Sequence, residues 1–228
     1  MATRPVYIPK LDSIGVITKS VDFTWSPGMS KSQKQKSIKS LHKAANELGI
    51  LPILEISSKS EENIGVNLSA FNLMIKTKQS KSFSVETAFQ SSKVFEKGGP
   101  YIDLLNCTSR EAKKDIRLKE SGNLIEFLFF KDKFPLKPRT YFYDWLYINA
   151  LHQNKELSNA ITSFSGFTDI EFNPKKSINC QAYSAALYVS LFNKGLANNE
   201  KIRNSKDFLS IAHHAYTDSN TMVQKSLI

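Results

Sequence analysis

Short alternating segments and longer amphipathic segments interchange along this chain, beginning near its first residue. The first dozen residues carry two prolines and predict an extended arm, while residues 21–25 (VDFTW) alternate like a short strand. Residues 30–48 repeat apolar positions at helical spacing, with Ser30 and Gln33 as a capping pair and Gly49 as a stop. The core side predicted for this helix comprises Ile38, Leu41, Ala45 and Leu48.

The next segments predict strands and a helix that begins with an acid. Residues 51–57 are rich in branched side chains and predict a strand, and residues 64–76 predict a loop that enters a second strand. Residues 84–98 predict a helix with Glu86, Gln90 and Lys93 on one face. A first-turn carboxylate is favoured by the helix dipole, so Glu86 is either an ordinary helix-start charge or a functional acid.

The rest of the chain alternates helices with fewer strands. The predicted segments are a helix over 108–118 with a Thr108–Glu111 capping box, a strand over 123–130, an exposed turn over 131–139, helices over 141–151 and 155–164, an extended edge over 167–173, and helices over 177–193 and 207–216. This order predicts a helix-rich α+β domain with a few short strands. We expect residues 1–60 to form a strand–helix–strand extension that packs on a core of residues 61–228.

The charge balance favours an anionic partner. Lysine and arginine exceed aspartate and glutamate by 31 − 21 = 10, and the isoelectric point is about 9.5. The helix over 30–48 carries a basic set that is either an electrostatic footprint for phosphates or a solvated face. Its members are Lys31, Lys34, Lys36, Lys39 and Lys43.

Several function classes lack their sequence signatures. Cys107 and Cys180 have neither CxxC spacing nor a paired histidine, so we expect no zinc site, no other metal and no cofactor. Phosphate-loop, GxSxG and zinc-deaminase motifs are absent. There is no signal-peptide pattern and no membrane-length apolar run, so we expect a cytoplasmic protein without a membrane partner. Polar-loop lysines and carboxylates remain, which permit hydrolysis of a phosphorylated or nucleic-acid substrate.

Two segments carry a family resemblance. Residues 65–75 (GVNLSAFNLMI) and 82–95 (SFSVETAFQSSKVF) resemble the signature of the NADAR family, an SNF-type turn followed by SxEhxfQxxKxf. Residues 109–118 (SREAKKDIRL) resemble a later family segment, with Arg117 in its arginine place and Ile116 replacing a glycine. Residues 23–45, followed by ILEISSKS, are more similar to one subgroup, the NADAR antitoxins found with DarT-type toxins.

The resemblance implies a hydrolase that removes ADP-ribose from guanine bases in DNA and so reverses the toxin. ADP-ribosylated DNA would be the substrate, ADP-ribose the product, and a DarT-type toxin a further partner. The family glutamate falls on Glu86 as general acid and base, and the lysine before the turn falls on Lys59, which could form a Schiff base. The implied ligand-binding residues are Ser58, Asn67, Ser69, Phe71, Phe89, Gln90, Lys93, Arg139, Asp169 and Asn173.

Other interpretations stay open at this point. Lys59 could be a solvated loop lysine, Phe71 and Phe89 could pack in the core, and Trp145 is expected there. Asp169, Glu171 and Asn173 are alternative substitutes for an acidic residue of the family, since its D and WG ending is missing here. The alternative functions are an antitoxin that binds nucleic acid or toxin without catalysis, a hydrolase of small ribosides, or a phage counter-defence form of the same enzyme.

Overall fold

The computed structural model describes residues 1–175, 177–197 and 200–216, and its strands form three small sheets. The strands are β1 (Ala2–Pro9), β2 (Val16–Phe23), β3 (Ile53–Glu55), β4 (Met74–Lys76), β5 (Ser82–Ser84), β6 (Lys93–Phe95), β7 (Leu124–Phe129), β8 (Asp132–Phe134) and β9 (Gly166–Thr168). The main sheet has the order β2-β1-β9-β3, while β4 pairs with β5, and β7 lies between β6 and β8.

Helices supply the larger part of the regular structure. They are α1 (Lys31–Glu47), α2 (Asn63–Asn67), α3 (Val85–Ser91), α4 (Ser109–Lys114), α5 (Arg117–Glu120), α6 (Tyr141–Gln153), α7 (Lys155–Ala160), α8 (Gln181–Asn193) and α9 (Ser205–Ile211). Short 3-10 helices cover Ile102–Asn106, Ile161–Ser163 and Glu200–Arg203. The predicted fold class, one helix-rich α+β domain, is confirmed.

The main sheet joins the N-terminal hairpin to two strands from later in the chain. β1 and β2 form an antiparallel hairpin over their full length, and β9 lies between β1 and β3, antiparallel to the first and parallel to the second. The division into an extension over 1–60 and a core over 61–228 stays a prediction, and residues 176, 198–199 and 217–228 of that core lie outside the described part.

The core has two parts. The larger surrounds α6 and α8, which are apolar on nearly every side and accordingly buried on nearly every side. Tyr147 of α6 and Tyr188 of α8 are almost wholly buried, and Trp145 lies in this core as predicted. The smaller part lies between the hairpin and α1. Among the described residues, no helix is long and apolar enough to span a membrane.

The predicted face of α1 is correct except at two positions. Ser30 accepts a hydrogen bond from the Gln33 amide at 3.3 Å, which confirms the helix start. Leu48 was expected in the core, but it is 49% exposed because the helix has already ended there. Lys34 was placed on the solvated basic face, but it is buried, with Nζ 3.1 Å from a carboxylate oxygen of Glu171.

The helix predicted over 84–98 is much shorter in the structure. It ends at Ser91, and the following residues form β6 in antiparallel register with β7. Val94 and Phe95 suit a strand, and pairing across the sheet overrides the helical spacing that they also fit. Lys93 is therefore not on the face of a helix, although it remains close to that helix in space.

Two further predicted segments have different bounds in the structure. The helix over 108–118 breaks at Asp115, whose carboxylate accepts a bond from the Arg117 amide at 2.9 Å, so α4 and α5 are separate. The edge over 167–173 ends at Thr168, since Asp169 accepts bonds from the amides of Glu171 and Phe172 and makes a turn.

Three other segments differ in smaller ways. The helix predicted over 177–193 begins at residue 181, and the one over 207–216 is α9, capped by Asn204. The segment 131–139, predicted as a turn, contains β8.

Candidate active site

The first turn of α3 is held in place by neighbouring segments. Ser84 caps the helix by accepting a bond from the Thr87 amide at 3.0 Å, and its hydroxyl also lies 2.7 Å from that of Ser109 at the start of α4. Ser109 donates to the carbonyl oxygen of Phe71 at 2.9 Å. The Glu86 amide donates to the carbonyl oxygen of Ala70 at 2.9 Å. These bonds fix the start of α3 against α4 and the turn at 69–72.

A second set of bonds joins this turn to the main sheet. The Gln181 side chain, at the start of α8, accepts from the Ala70 amide and donates to the carbonyl oxygen of Ile56, both at 2.7 Å. Gly65 lets α2 lie against β3, because a Cβ at that position would clash with the carbonyl oxygen of Glu55. The ends of β3, α8 and the turn therefore converge beside α3.

A cavity of about 860 Å³ opens where these segments meet. It lies at the carboxyl ends of the parallel strands β3 and β9, an edge of a sheet where ligands commonly bind. The residues after β3 supply Ser58 and Lys59, and those after β9 supply Asp169 and Glu171. The cavity is large enough for a nucleotide-sized ligand.

Glu86 faces this cavity and is 6% exposed. Its Oε1 accepts a bond from Gln90 Nε2 at 2.9 Å and lies 3.8 Å from Nζ of Lys113. The Glu86 side chain is therefore a buried carboxylate held between an amide and a lysine. An ordinary helix-start charge points into solvent, so that interpretation does not fit this geometry.

The structure brings together all but two of the predicted catalytic and ligand-binding residues. Lys59 lines the same cavity as Glu86, together with Ser58, Ser69, Phe71, Phe89, Gln90 and Lys93. Arg139 and Asp169 line it as well. Their roles stay predictions, while their convergence is a property of the fold.

Asn67 and Asn173 do not line the cavity, so the structure does not bring them together with the other predicted ligand-binding residues. Asn67 is exposed at the end of α2 and borders a second cavity of about 260 Å³. Asn173 accepts a bond from the Lys175 amide at 3.0 Å and closes a local turn. Arg117, in the arginine place of the family, binds Asp103 and Asp115 and is not among the lining residues.

Cations make up a large part of the cavity lining, its cationic wall. Lys93 and Arg139 were predicted there, whereas Arg110, Lys113 and Lys137 were missed. Burial lowers the pKa of Lys93 to about 8, while the charge of Glu86 opposes this shift and that of Lys113 adds to it. A wall of this kind suits a ligand with phosphate groups.

Aromatic rings form another wall. The Phe89 ring lies 5.3 Å from Phe127 and 5.2 Å from Tyr143, edge-on to the latter. Burial, with the charge of Glu86, holds the pKa of the Tyr143 phenol well above its usual range, so it stays neutral. The sequence did not predict Tyr143 as a lining residue, because α6 is apolar on nearly every side and has no polar face that would indicate a site.

Two acids lie close together at the cavity, with Asp169 in its lining and Glu55 outside it. Glu55 is buried and accepts bonds from Ser57, Thr168 and the Ile170 amide at 2.6, 2.6 and 2.8 Å. Burial, with the nearby charge of Glu55, raises the pKa of Asp169 to about 8. Asp169 therefore keeps its proton to a higher pH than an exposed aspartate does.

The described residues contain no cluster of three or more histidine, cysteine, aspartate or glutamate side chains placed to bind a metal ion. The cavity is lined instead by hydrogen-bonding, cationic and aromatic groups. Such a lining suits acid–base chemistry on an organic phosphate.

The comparison with known families agrees with the motifs around Glu86. One family, described as the DarT1-associated NADAR antitoxin, matches residues 2–222. The chain belongs to this family. Its predicted resemblance is thereby confirmed almost from end to end, the N-terminal segment included. A search of curated proteins finds no match.

Proposed function

We propose that this NADAR protein is an antitoxin enzyme that removes ADP-ribose from guanine bases in DNA by hydrolysis. The observation that carries the proposal is Glu86, a buried carboxylate on a cation-walled cavity in a chain of the DarT1-associated family. A family that accompanies DarT1 supports a role against such a toxin. We expect the protein to work in the cytoplasm, where the modified DNA lies.

The lining of the cavity matches the parts of the proposed substrate. Its cationic wall can bind the two phosphates of ADP-ribose, and charge-assisted bonds of this kind are strong. The rings of Phe89 and Tyr143 supply apolar surface for a base. A guanine inside a duplex cannot reach Glu86, so the base must be unpaired or flipped out.

Glu86 can carry both proton transfers of the hydrolysis. The Glu86 carboxylate accepts a proton from the water that attacks C1″. As the C1″–N bond of the ribose breaks, the exocyclic amine of guanine takes the bonding electrons and receives that proton from Glu86. The products are free ADP-ribose and unmodified guanine. Gln90 and Lys113 hold the carboxylate in position.

Lys59 is a candidate for a covalent route. Its amide donates to the Ser57 hydroxyl at 3.1 Å, and its side chain lines the cavity. If the ribose ring opens, the amine can displace guanine and form an imine at C1″, which water then hydrolyses. Borohydride reduces an imine and would leave a ribose adduct on Lys59.

The exposed lysines of α1 are the proposed contacts with the DNA backbone. Lys31, Lys36 and Lys43 are exposed, and Lys39 pairs with Glu61 at 3.1 Å. Lys34 is not one of these proposed DNA contacts, because it is buried and paired with Glu171. Each phosphate that a lysine neutralises adds salt-dependent affinity.

A guanine-ADP-ribosylated oligonucleotide tests the proposal directly. We expect wild-type protein to release ADP-ribose, and Glu86→Gln to lower the rate by at least 1000-fold while the protein stays folded. Glu156→Gln is the matched control, since Glu156 is also a first-turn acid but is exposed and lies outside the main cavity. Near-normal release by Glu86→Gln would refute the assigned role.

The same assay separates the other interpretations. If wild-type protein releases nothing but binds the toxin, and Glu86→Ala binds it equally well, the protein acts by binding alone. Turnover of a modified free nucleotide, without turnover of the oligonucleotide, would identify a hydrolase of small ribosides.

A further inference from the structure

One side chain beside Glu86 has an acceptor atom without a partner. Gln90 is 7% exposed and lines the cavity, and its Nε2 donates to Glu86. Its Oε1 is buried and accepts no hydrogen bond from any described residue. Asn179 also lines the cavity, and its Oδ1 is likewise buried and accepts no hydrogen bond from any described residue. Buried polar atoms are nearly always hydrogen-bonded, so two open acceptors in one cavity indicate a ligand.

The orientation of the Gln90 amide follows from its neighbour. If the amide were turned over, Oε1 would face the carboxylate oxygen of Glu86, and two acceptors would oppose each other. The open atom is therefore an acceptor, and its missing partner is a donor. Hydroxyl and amino groups are donors, whereas phosphate oxygens at neutral pH are not.

The position of Gln90 narrows the choice of donor. Gln90 follows Glu86 by one helical turn, and their side chains are already in contact at 2.9 Å. A donor at Oε1 consequently lies within a few ångströms of the Glu86 carboxylate. Under the proposed function that carboxylate acts at C1″ of the ribose, and the hydroxyl group on the adjoining carbon is at C2″.

We infer that Gln90 reads the ribose of the substrate: its Oε1 accepts a hydrogen bond from the 2″-hydroxyl while its Nε2 holds Glu86. This inference rests on the proposed function and extends it to a specificity-determining contact. The ligand class is a sugar that carries a hydroxyl next to its anomeric carbon.

The contact explains how the enzyme spares intact DNA. Each nucleotide of DNA also has a bond between a sugar and a base, but its deoxyribose lacks the hydroxyl at C2′. A deoxyribose at Glu86 would leave Gln90 Oε1 buried and unpaired. Sites built around a substrate hydroxyl reject ligands that lack it far more strongly than apolar pockets reject a missing methylene. Gln90 thereby directs Glu86 to the bond between the ribose of ADP-ribose and guanine.

Binding of ADP-ribose and of its 2″-deoxy analogue tests this contact without any turnover. We expect wild-type protein to bind ADP-ribose at least tenfold more tightly than the analogue. Gln90→Met has a similar shape without the acceptor and should bind both ligands with equal affinity. Gln90→Glu keeps an acceptor and should keep the ratio, although its extra charge weakens both affinities.

Gln153→Met is the matched control, because Gln153 is exposed, lies outside the cavity and bonds only the Lys76 amide among the described residues. It should behave as wild type. A tenfold ratio that persists in Gln90→Met would assign the hydroxyl to another residue and overturn the inference.

Wild-type protein keeps the inference testable even if Gln90→Met does not fold. Equal binding of the two ligands by wild type would overturn the role of Gln90 and leave the proposed function standing, since release of ADP-ribose from the oligonucleotide is measured separately. Wild-type protein that neither binds ADP-ribose nor releases it would overturn both.

Discussion

Two neighbouring helices begin with the same kind of signal and use it differently. α3 begins with Ser84 and Glu86, and α4 with Thr108 and Glu111. Glu111 is exposed and reaches back to the Thr108 amide at 2.9 Å, completing a capping box. That bond lowers the pKa of Glu111. Glu86 instead is buried and faces the cavity.

The difference lies in one position of the helix turn. Glu111 is the third helical residue, which can reach the capping residue, and Glu86 is the second, which cannot. In α3 the third position is Thr87, whose amide donates a hydrogen bond to the Ser84 hydroxyl. Glu86 is thus left available to the neighbours of α3, and α4 supplies one of them, Lys113. A shift of one residue separates a structural acid from a candidate catalytic one.

The largest effect that this comparison predicts comes from shortening each acid by one methylene. Glu86→Asp should lower the rate of ADP-ribose release by about 100-fold, because a displacement of about 1 Å is costly in an acid–base site. Glu111→Asp should leave the rate within about twofold and slightly lower the melting temperature. Rates and thermal melts of both variants measure this. Equal losses of rate would mean that both acids act through helix stability.

The next effect concerns two adjacent lysines of α4. Both are exposed, but Lys113 lines the cavity and its neighbour Lys114 does not. Lys113→Ala should raise the KM for the modified oligonucleotide about tenfold and reduce its salt dependence by about one phosphate contact. Lys114→Ala should have little effect on either. If both substitutions act equally, α4 contributes general charge and no defined contact.

Local signals in the sequence located much of this fold. Capping residues such as Ser30 and Thr108 marked helix starts correctly, because an N-cap bond involves residues only three apart. The strands predicted around β3 and β7 were also correct, because a strand pattern is likewise a property of a few adjacent residues. The position of β9 between β1 and β3 had no local signal, since it depends on pairing between residues far apart in the chain.

The candidate site shows the same division between residues that a local pattern brings together and residues that only the tertiary fold brings together. Glu86 and Gln90 were found because one helical turn places them together. Arg110 and Lys137 come from different segments, and their convergence on one cavity wall is a product of the tertiary fold. Asn67 shows the reverse: it is near Ser69 in sequence, but it lies at the end of α2, outside the main cavity.

The smallest predicted effect is a pH dependence that both helices influence. Lys93 follows α3, and burial lowers its pKa to about 8, so its ammonium group is charged at pH 7 and neutral at pH 9. A phosphate-bearing ligand favours the charged form. The affinity for ADP-ribose should therefore be highest at pH 7 and fall a few-fold as the pH rises through 8 to 9. Calorimetric titration at several pH values measures this.

Three variants assign that decline to its source. Lys93→Arg does not titrate in this range, so the share of the decline due to Lys93 should disappear. Lys113→Ala removes a like charge that lowers the pKa of Lys93, so the midpoint should move to higher pH. Asp169 also has a pKa raised to about 8 and gains negative charge over the same range. A decline that survives in Lys93→Arg but vanishes in Asp169→Asn would assign the pH dependence to Asp169. The start of α3 would then act on the ligand through Glu86 and Gln90, without a contribution from Lys93.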